Sequence, residues 1–258
     1  MTRIWTDTRE WLDCRAALHA RSIGFVPTMG ALHEGHAALF ERCRRENEIA
    51  VASIYVNPSQ FNDPNDLARY PRTFDDDVKL LKGLRVDHIL APQHRDMYPR
   101  GYRFRIELDP ALQVLEGERR PGFLQGVLTV VLKLLQLVRP TRAYFGEKDF
   151  QQLSVVAEMA NEFFLPTEII ACPTVREPSG LAMSSRNRLL SSTARDSAAA
   201  LFRSLIAAAD PAQARSALES EGFSVDYVED RWGRRLAAVF LEGVRLIDNV
   251  PLDEVVKQ

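Results

Sequence analysis

The chain has 258 residues, 46% hydrophobic and 26% charged, enough to bury a sizeable core and to make two domains. Its net charge of -2 argues against a nucleic-acid or anionic-membrane surface. Three scattered cysteines, Cys14, Cys43 and Cys172, form no C-x-x-C pair, so neither a disulfide framework nor a zinc ribbon is indicated and a reducing cytoplasm is the expected compartment.

The start of the chain, with Arg3, Asp7, Arg9 and Glu10, is too charged for a signal peptide. Strand-like and helical patterns then alternate. The spacing predicts strands over 22–26, 49–56, 88–91, 143–145 and 168–171, and helices over 35–47, 73–82, 126–138 and 149–164. The last apolar stretch before residue 140 contains Lys133 and Gln136 and falls short of the roughly 20 residues that cross a bilayer, so it reads as a buried helix. Strands apolar on both faces and separated by helices predict an α/β fold with a doubly wound parallel sheet. Ligands of such sheets bind beyond the carboxyl ends of the strands.

The first strand end carries Phe25-Val26-Pro27-Thr28-Met29-Gly30-Ala31-Leu32-His33-Glu34-Gly35-His36. A strand running into a helix presents the helix's first N–H groups and its positive dipole end to an anion. His33 and His36 add donors suited to phosphate oxygens. Gly35, lacking a side chain, would let an adenine ring or phosphate lie against the backbone. A histidine metal site and an idle surface pair are the competing readings, although a zinc-protease helix needs histidines four apart with a glutamate between. Later strand ends carry Asn57-Pro58-Ser59-Gln60-Phe61, then Tyr70-Pro71-Arg72-Thr73 with the acidic run Asp75-Asp76-Asp77, and Gly146-Glu147-Lys148-Asp149-Phe150-Gln151-Gln152; beyond them lies Met183-Ser184-Ser185-Arg186-Asn187. The acidic run suits either a helix N-terminus or a metal contact.

Taken together these clusters resemble one family, the pantoate–β-alanine ligases or pantothenate synthetases. The likeness rests on P-T-M-G-A-L-H-E-G-H at 27–36, V-N-P-S-Q-F at 56–61, Y-P-R-T at 70–73, F-G-E-K-D-F-Q-Q-L at 145–153 and M-S-S-R-N at 183–187, in the family's order and spacing. It implies a Rossmann-like ATP- and pantoate-binding domain of the nucleotidyltransferase superfamily over 1–173. A smaller mixed α/β lid domain, shortened here, would follow over 174–258. The implied activity belongs to the coenzyme A pathway: ATP converts the pantoate carboxylate to an acyl adenylate with release of pyrophosphate, and β-alanine then displaces AMP. A carboxylate is ionised at pH 7, with a typical pKa of about 4, and needs no general base. The sequence accordingly carries no G-x-S-x-G elbow.

The resemblance also implies roles. Met29, Gly30, Ala31, Leu32, His33, Glu34, Gly35 and His36 would line the ATP site, with His36 as proton donor and His33 as a phosphate contact. Gly146, Glu147, Lys148 and Asp149 would form a second wall, and Val175, Met183, Ser184, Ser185 and Arg186 would complete it. Lys148 and Arg186 would offset phosphate charge. Gln60 and Gln152, with Asn57, would hold pantoate and β-alanine through neutral amides, which orient a carboxylate without blunting it. Magnesium would bridge the phosphates, with Asp76 as a ligand. A homodimer with no nucleic-acid or membrane partner is implied.

Two stretches depart from the family pattern. Where the family reads R-P-G-H-F-R-G-V, this chain reads Arg120-Pro121-Gly122-Phe123-Leu124-Gln125-Gly126-Val127, with Phe123 and Gln125 replacing a histidine and an arginine. The tail keeps Asp226-Tyr227-Val228-Glu229 and Arg245-Leu246-Ile247-Asp248-Asn249, with Arg231-Trp232-Gly233-Arg234-Arg235 expected as the connection between them. Two alternatives therefore stand beside an active ligase: a catalytically impaired nucleotide-binding homologue, and another nucleotidyltransferase of the same fold.

Overall fold

The computed structural model describes residues 1–255. It forms two compact units, the larger from residues 1–32, 36–146 and 151–172, the smaller from 33–35, 147–150 and the chain from Pro173. Along the chain up to Cys172 the elements are β1 (Arg3–Trp5), α1 (Thr8–Ala17), β2 (Ile23–Thr28), α2 (Glu34–Glu46), β3 (Ile49–Ile54), α3 (Pro64–Arg69), α4 (Phe74–Gly83), β4 (His88–Leu90), α5 (His94–Met97), α6 (Glu116–Arg119), α7 (Phe123–Val138), β5 (Arg142–Gly146), α8 (Phe150–Glu162) and β6 (Glu168–Cys172).

The six strands of the larger unit are all parallel, in the order β1-β4-β3-β2-β5-β6. The doubly wound sheet predicted from the apolar strands is the one observed. Alternate residues feed two cores, as a period of two requires. Ile23, Phe25, Val51, Leu90, Ala143 and Phe145 pack with Trp11 of α1 and with α7 and α8. Val26, Ala50, Ala52, Ile89 and Tyr144 pack on the other side with Phe40 and Cys43 of α2 and Val78 and Leu81 of α4. The chain builds outward from β2 through β3 and β4, then returns to β5 on the other side of β2. That reversal places the topological switch point at the carboxyl ends of β2 and β5.

Sequence periodicity did not reveal β1 or α1. β1 is a three-residue edge strand with two exposed side chains, so it shows no alternation. α1 starts on an Asp7 cap that accepts from the N–H groups of Arg9 and Glu10, and buries only Trp11 fully. α7 begins at Phe123, earlier than the spacing suggested, because Gly122 turns into it with φ of +83°.

The smaller unit contains α9 (Ser192–Ala198), α10 (Ala200–Ala207), α11 (Pro211–Ser220) and an antiparallel sheet of β7 (Ser224–Arg231), β8 (Arg234–Leu241) and β9 (Val244–Pro251). Its core joins Leu201, Leu205, Leu218 and Phe223 to Val239, Leu246 and Val250. Residues 231–235 are not the connection the sequence suggested. Trp232-Gly233 and Glu242-Gly243 are each a two-residue hairpin turn with both φ values positive, and the whole of β8 lies between them. A bulky or charged residue at the first turn position hides a signal usually written Asn-Gly. Arg235 is 1% exposed; it pairs with Asp230 and donates to the carbonyls of Leu205, Ala208 and Ala209, so it fastens this hairpin to the carboxyl end of α10.

Candidate active site

In the larger unit the chain leaves β2 at the switch point through a tight loop in which Ala31 holds φ of +51°, a conformation a non-glycine residue adopts only under constraint. The constraint is Asp77 of α4. Its carboxylate is 3% exposed and accepts from the N–H groups of Ala31 at 3.0 Å and Leu32 at 2.8 Å, and from Thr73 Oγ1 at 3.2 Å. The acidic run thus divides its labour. Asp75 and Asp76 lie in the first turn of α4, where negative charge is favourable, and Asp77 is turned inward onto the cassette. Asp76, expected as a metal ligand, faces solvent and pairs with Lys79 Nζ at 3.0 Å. His36 is half-buried in the first turn of α2.

Residues 57–60 form an amide relay. Asn57 is fully enclosed: its Oδ1 accepts from Ser59 Oγ and Tyr98 Oη, and its Nδ2 donates to Gly126 O and to Gln60 Oε1. Asn57, expected to touch substrate, has these four hydrogen-bonding positions occupied inside the protein, one of them by Gln60 Oε1. Because Gln60 Oε1 is an acceptor for Asn57, its amide nitrogen points the other way, towards Met29 Sδ at 3.1 Å, and presents hydrogen-bond donors. α7 presses directly on this turn. A Cβ added at Gly126 would stand 2.4 Å from the Ser59 carbonyl oxygen and 2.8 Å from Gln60 Cα. Of the paired glutamines on α8, Gln151 is buried and spent on Glu116 N and Val114 O, whereas Gln152 is the half-buried one. Phe123 is 7% exposed within the core, with the Arg120 guanidinium 3.7 Å above its ring. The position serves packing in this chain.

The smaller unit gathers the other expected residues. His33 lies beside Gly35, and a Cβ at Gly35 would meet the His33 ring at 2.9 Å and Met183 Cβ at 3.5 Å. The His33 imidazole thus lies where a side chain at Gly35 would begin. Burial, and then the positive charges of Lys148 and Arg188, push the His33 pKa down to about 4, with Asp149 opposing. At pH 7 this imidazole is neutral. Val175 and Met183 are joined by a backbone bond of 2.9 Å, and Ser184 Oγ accepts from Arg186 N at 3.2 Å, which caps the short turn Ser185–Leu189 and leaves the hydroxyl proton for another acceptor. Lys148 stands on the turn Glu147–Asp149 between β5 and α8.

Among the described residues no group of three His, Cys, Asp or Glu forms a cation cage, and no helix is long and apolar enough to cross a membrane. Each unit offers donors that suit an anion: the larger has the outward amide of Gln60, and the smaller has the neutral His33 imidazole, the Ser184 hydroxyl and Lys148.

Comparison with known proteins bears on this arrangement. The family model for Pantoate-beta-alanine ligase matches residues 2–251. The chain is 49% identical over 231 residues to the pantothenate synthetase of Bdellovibrio bacteriovorus, covering 90% of this chain and 92% of that protein. It is 45% identical over 248 residues to that of Legionella pneumophila, covering 96% and 98%. The solved pantoate-beta-alanine ligase of Francisella tularensis, complexed with beta-gamma ATP and beta-alanine, matches with a TM-score of 0.94 at 40% identity over 98% of both chains. Pantothenate synthetase from Thermus thermophilus matches with a TM-score of 0.90 at 42% identity over 97% of this chain and 99% of that one.

Proposed function

The chain belongs to the pantoate-beta-alanine ligase family and is an ATP-dependent enzyme joining pantoate to β-alanine, and we propose that the residues described above carry the two steps. A pantoate carboxylate oxygen attacks the α-phosphorus of ATP and pyrophosphate leaves. The amine of β-alanine then attacks the acyl carbon of the adenylate, AMP leaves, and the ammonium proton is lost. Neither step calls for a protein nucleophile, so the chain contributes alignment and charge stabilisation.

The amide relay carries this reading. With Gln60 held by Asn57 so that its nitrogen is outward, the pantoate oxygens meet donors that carry no charge, which leaves the carboxylate its nucleophilicity. Gln152 serves as the second amide. Met29 to Leu32, His36 and Gly146 contact ATP, as do His33 to Gly35, Glu147 to Asp149, Val175 and Met183 to Arg186. His33, being neutral, donates a hydrogen bond, and Lys148 and Arg186 supply the charge. His36 donates a proton to the leaving pyrophosphate.

Magnesium accompanies ATP. Asp76 would be the carboxylate to hold it, after releasing its partner Lys79, since Asp77 is committed to Ala31 and Leu32. When bound, the ion neutralises phosphate charge. We place the enzyme in the cytoplasm, in keeping with buried free thiols at Cys43 and Cys172, and as a homodimer, which sedimentation at micromolar concentration tests. Phe123 in a packed core position gives no reason to prefer an impaired homologue, because His33, His36, Lys148, Ser184, Ser185 and Arg186 all remain.

Purified protein with ATP, magnesium and pantoate should release pyrophosphate only when pantoate is present, and form pantothenate only when β-alanine is added. Pyrophosphate release independent of pantoate would contradict the proposed order. His36→Ala should abolish pyrophosphate release while circular dichroism stays unchanged; undiminished turnover removes that histidine from the mechanism.

A further inference from the structure

Lys148 stands on a turn of three residues, too short to fix its own direction through internal hydrogen bonds. The carbonyls of Glu147 and Lys148 are both taken by one side chain, Asn249 of β9, whose Nδ2 donates to each at 2.9 Å. Asn249 is 2% exposed, so these bonds are made where water competes little. Its Oδ1 accepts from Nε of Arg234 on β8, which keeps the amide hydrogens facing the turn. Arg234 also donates to Glu147 Oε2 at 3.3 Å and lies 4.7 Å over the Phe150 ring. Next to Asn249 in the chain, buried Asp248 accepts from Asn249 N at 2.8 Å and binds the Arg176 fork at 2.6 and 3.0 Å. Arg176 follows Val175 and forms a backbone bridge with Ala182, the residue before Met183. Two neighbouring residues of β9 therefore fasten both the Lys148 turn and the segment leading to Met183.

We propose that Asn249, with its amide set by Arg234, is a positioning residue that aims Lys148 at the phosphate chain of ATP during adenylate formation. The inference rests on the reading of Lys148 as a phosphate contact. The amide NH2 of Asn249 has two hydrogens on one nitrogen and so can hold both carbonyl oxygens, whereas the carboxylate of an aspartate would repel them.

The full chain tests this in a double-mutant cycle read as pyrophosphate release from ATP, magnesium and pantoate. Asn249→Ala should slow release on the order of tenfold to a hundredfold, with the pantoate KM within about twofold, and should slow Lys148→Ala no further. Losses that multiply in the double variant would mean that Asn249 supports the fold and not the lysine, which overturns the inference. So would an Asn249→Ala rate equal to the parent's when Lys148→Ala is slow. A Lys148→Ala enzyme as fast as the parent overturns the reading of Lys148 itself and the inference with it. Should Asn249→Ala fail to fold, the isosteric Asn249→Asp, which keeps the Arg234 contact as an ion pair, enters the same cycle with the same expected outcomes.

Discussion

A buried imidazole beside two cations holds a proton poorly, and His33 illustrates the consequence for both chemistry and stability. Its folded pKa is about 4, against about 6.5 in an unfolded chain. Between those values the unfolded chain binds more protons, so the stabilisation is complete above about pH 6.5 and is lost as pH falls towards 4, with a slope of up to about 1.4 kcal/mol per pH unit. Urea unfolding between pH 7 and pH 5 should show this loss, and His33→Asn should flatten it; an unchanged slope would assign the acid sensitivity to another group. Asp77 makes a different kind of contribution, since it holds Ala31 in a conformation the backbone would leave. Asp77→Asn turns an acceptor oxygen into a donor facing an N–H group. It should cost about 1–3 kcal/mol in denaturant unfolding and raise the KM for ATP. A variant with parental stability and KM would show that the loop holds its own shape.

At the scale of elements, the decisive contact is α7 against the turn at 58–60. A helix approaches a backbone this closely only through a glycine, and at Gly126 the nearest atoms are backbone, which cannot swing aside. Gly126→Ala should therefore displace Gln60, raise the pantoate KM on the order of tenfold or more and destabilise the enzyme by about 1–3 kcal/mol. The KM for ATP should move little. Kinetics that show equal changes in both substrates would place the disturbance elsewhere. The sequence marked α7 by its apolar period but offered no sign of what Gly126 faces, because that partner lies 66 residues earlier, at Gln60. The hairpins of the smaller unit were illegible for a local reason, with Trp232 and Glu242 standing where turn-forming residues normally advertise themselves.

For the whole molecule, the parallel sheet was legible because its strands are apolar on both faces, and the site segments because they follow strand ends. What the sequence withheld were contacts across long separations: Asp77 to Leu32, 45 residues apart, and Asn249 to Lys148, 101 apart. Nor does any pattern in the chain announce that 33–35 and 147–150 belong with the residues after 173. Long-range pairing also decides how the enzyme meets oxidants. Cys43 and Cys172 are buried, and burial pushes the Cys43 thiol up to about 12, so little reactive thiolate forms there. Met29, half-buried and in contact with the Gln60 amide, is the more vulnerable sulfur. Its sulfoxide would be a far stronger acceptor than the thioether and would capture the amide hydrogens that pantoate needs. Mild peroxide should therefore raise the pantoate KM before Cys43 or Cys172 is consumed, and methionine sulfoxide reductase should restore it. Met29→Leu should be spared, which would make a weak sulfur contact the point at which oxidative stress slows supply of the vitamin.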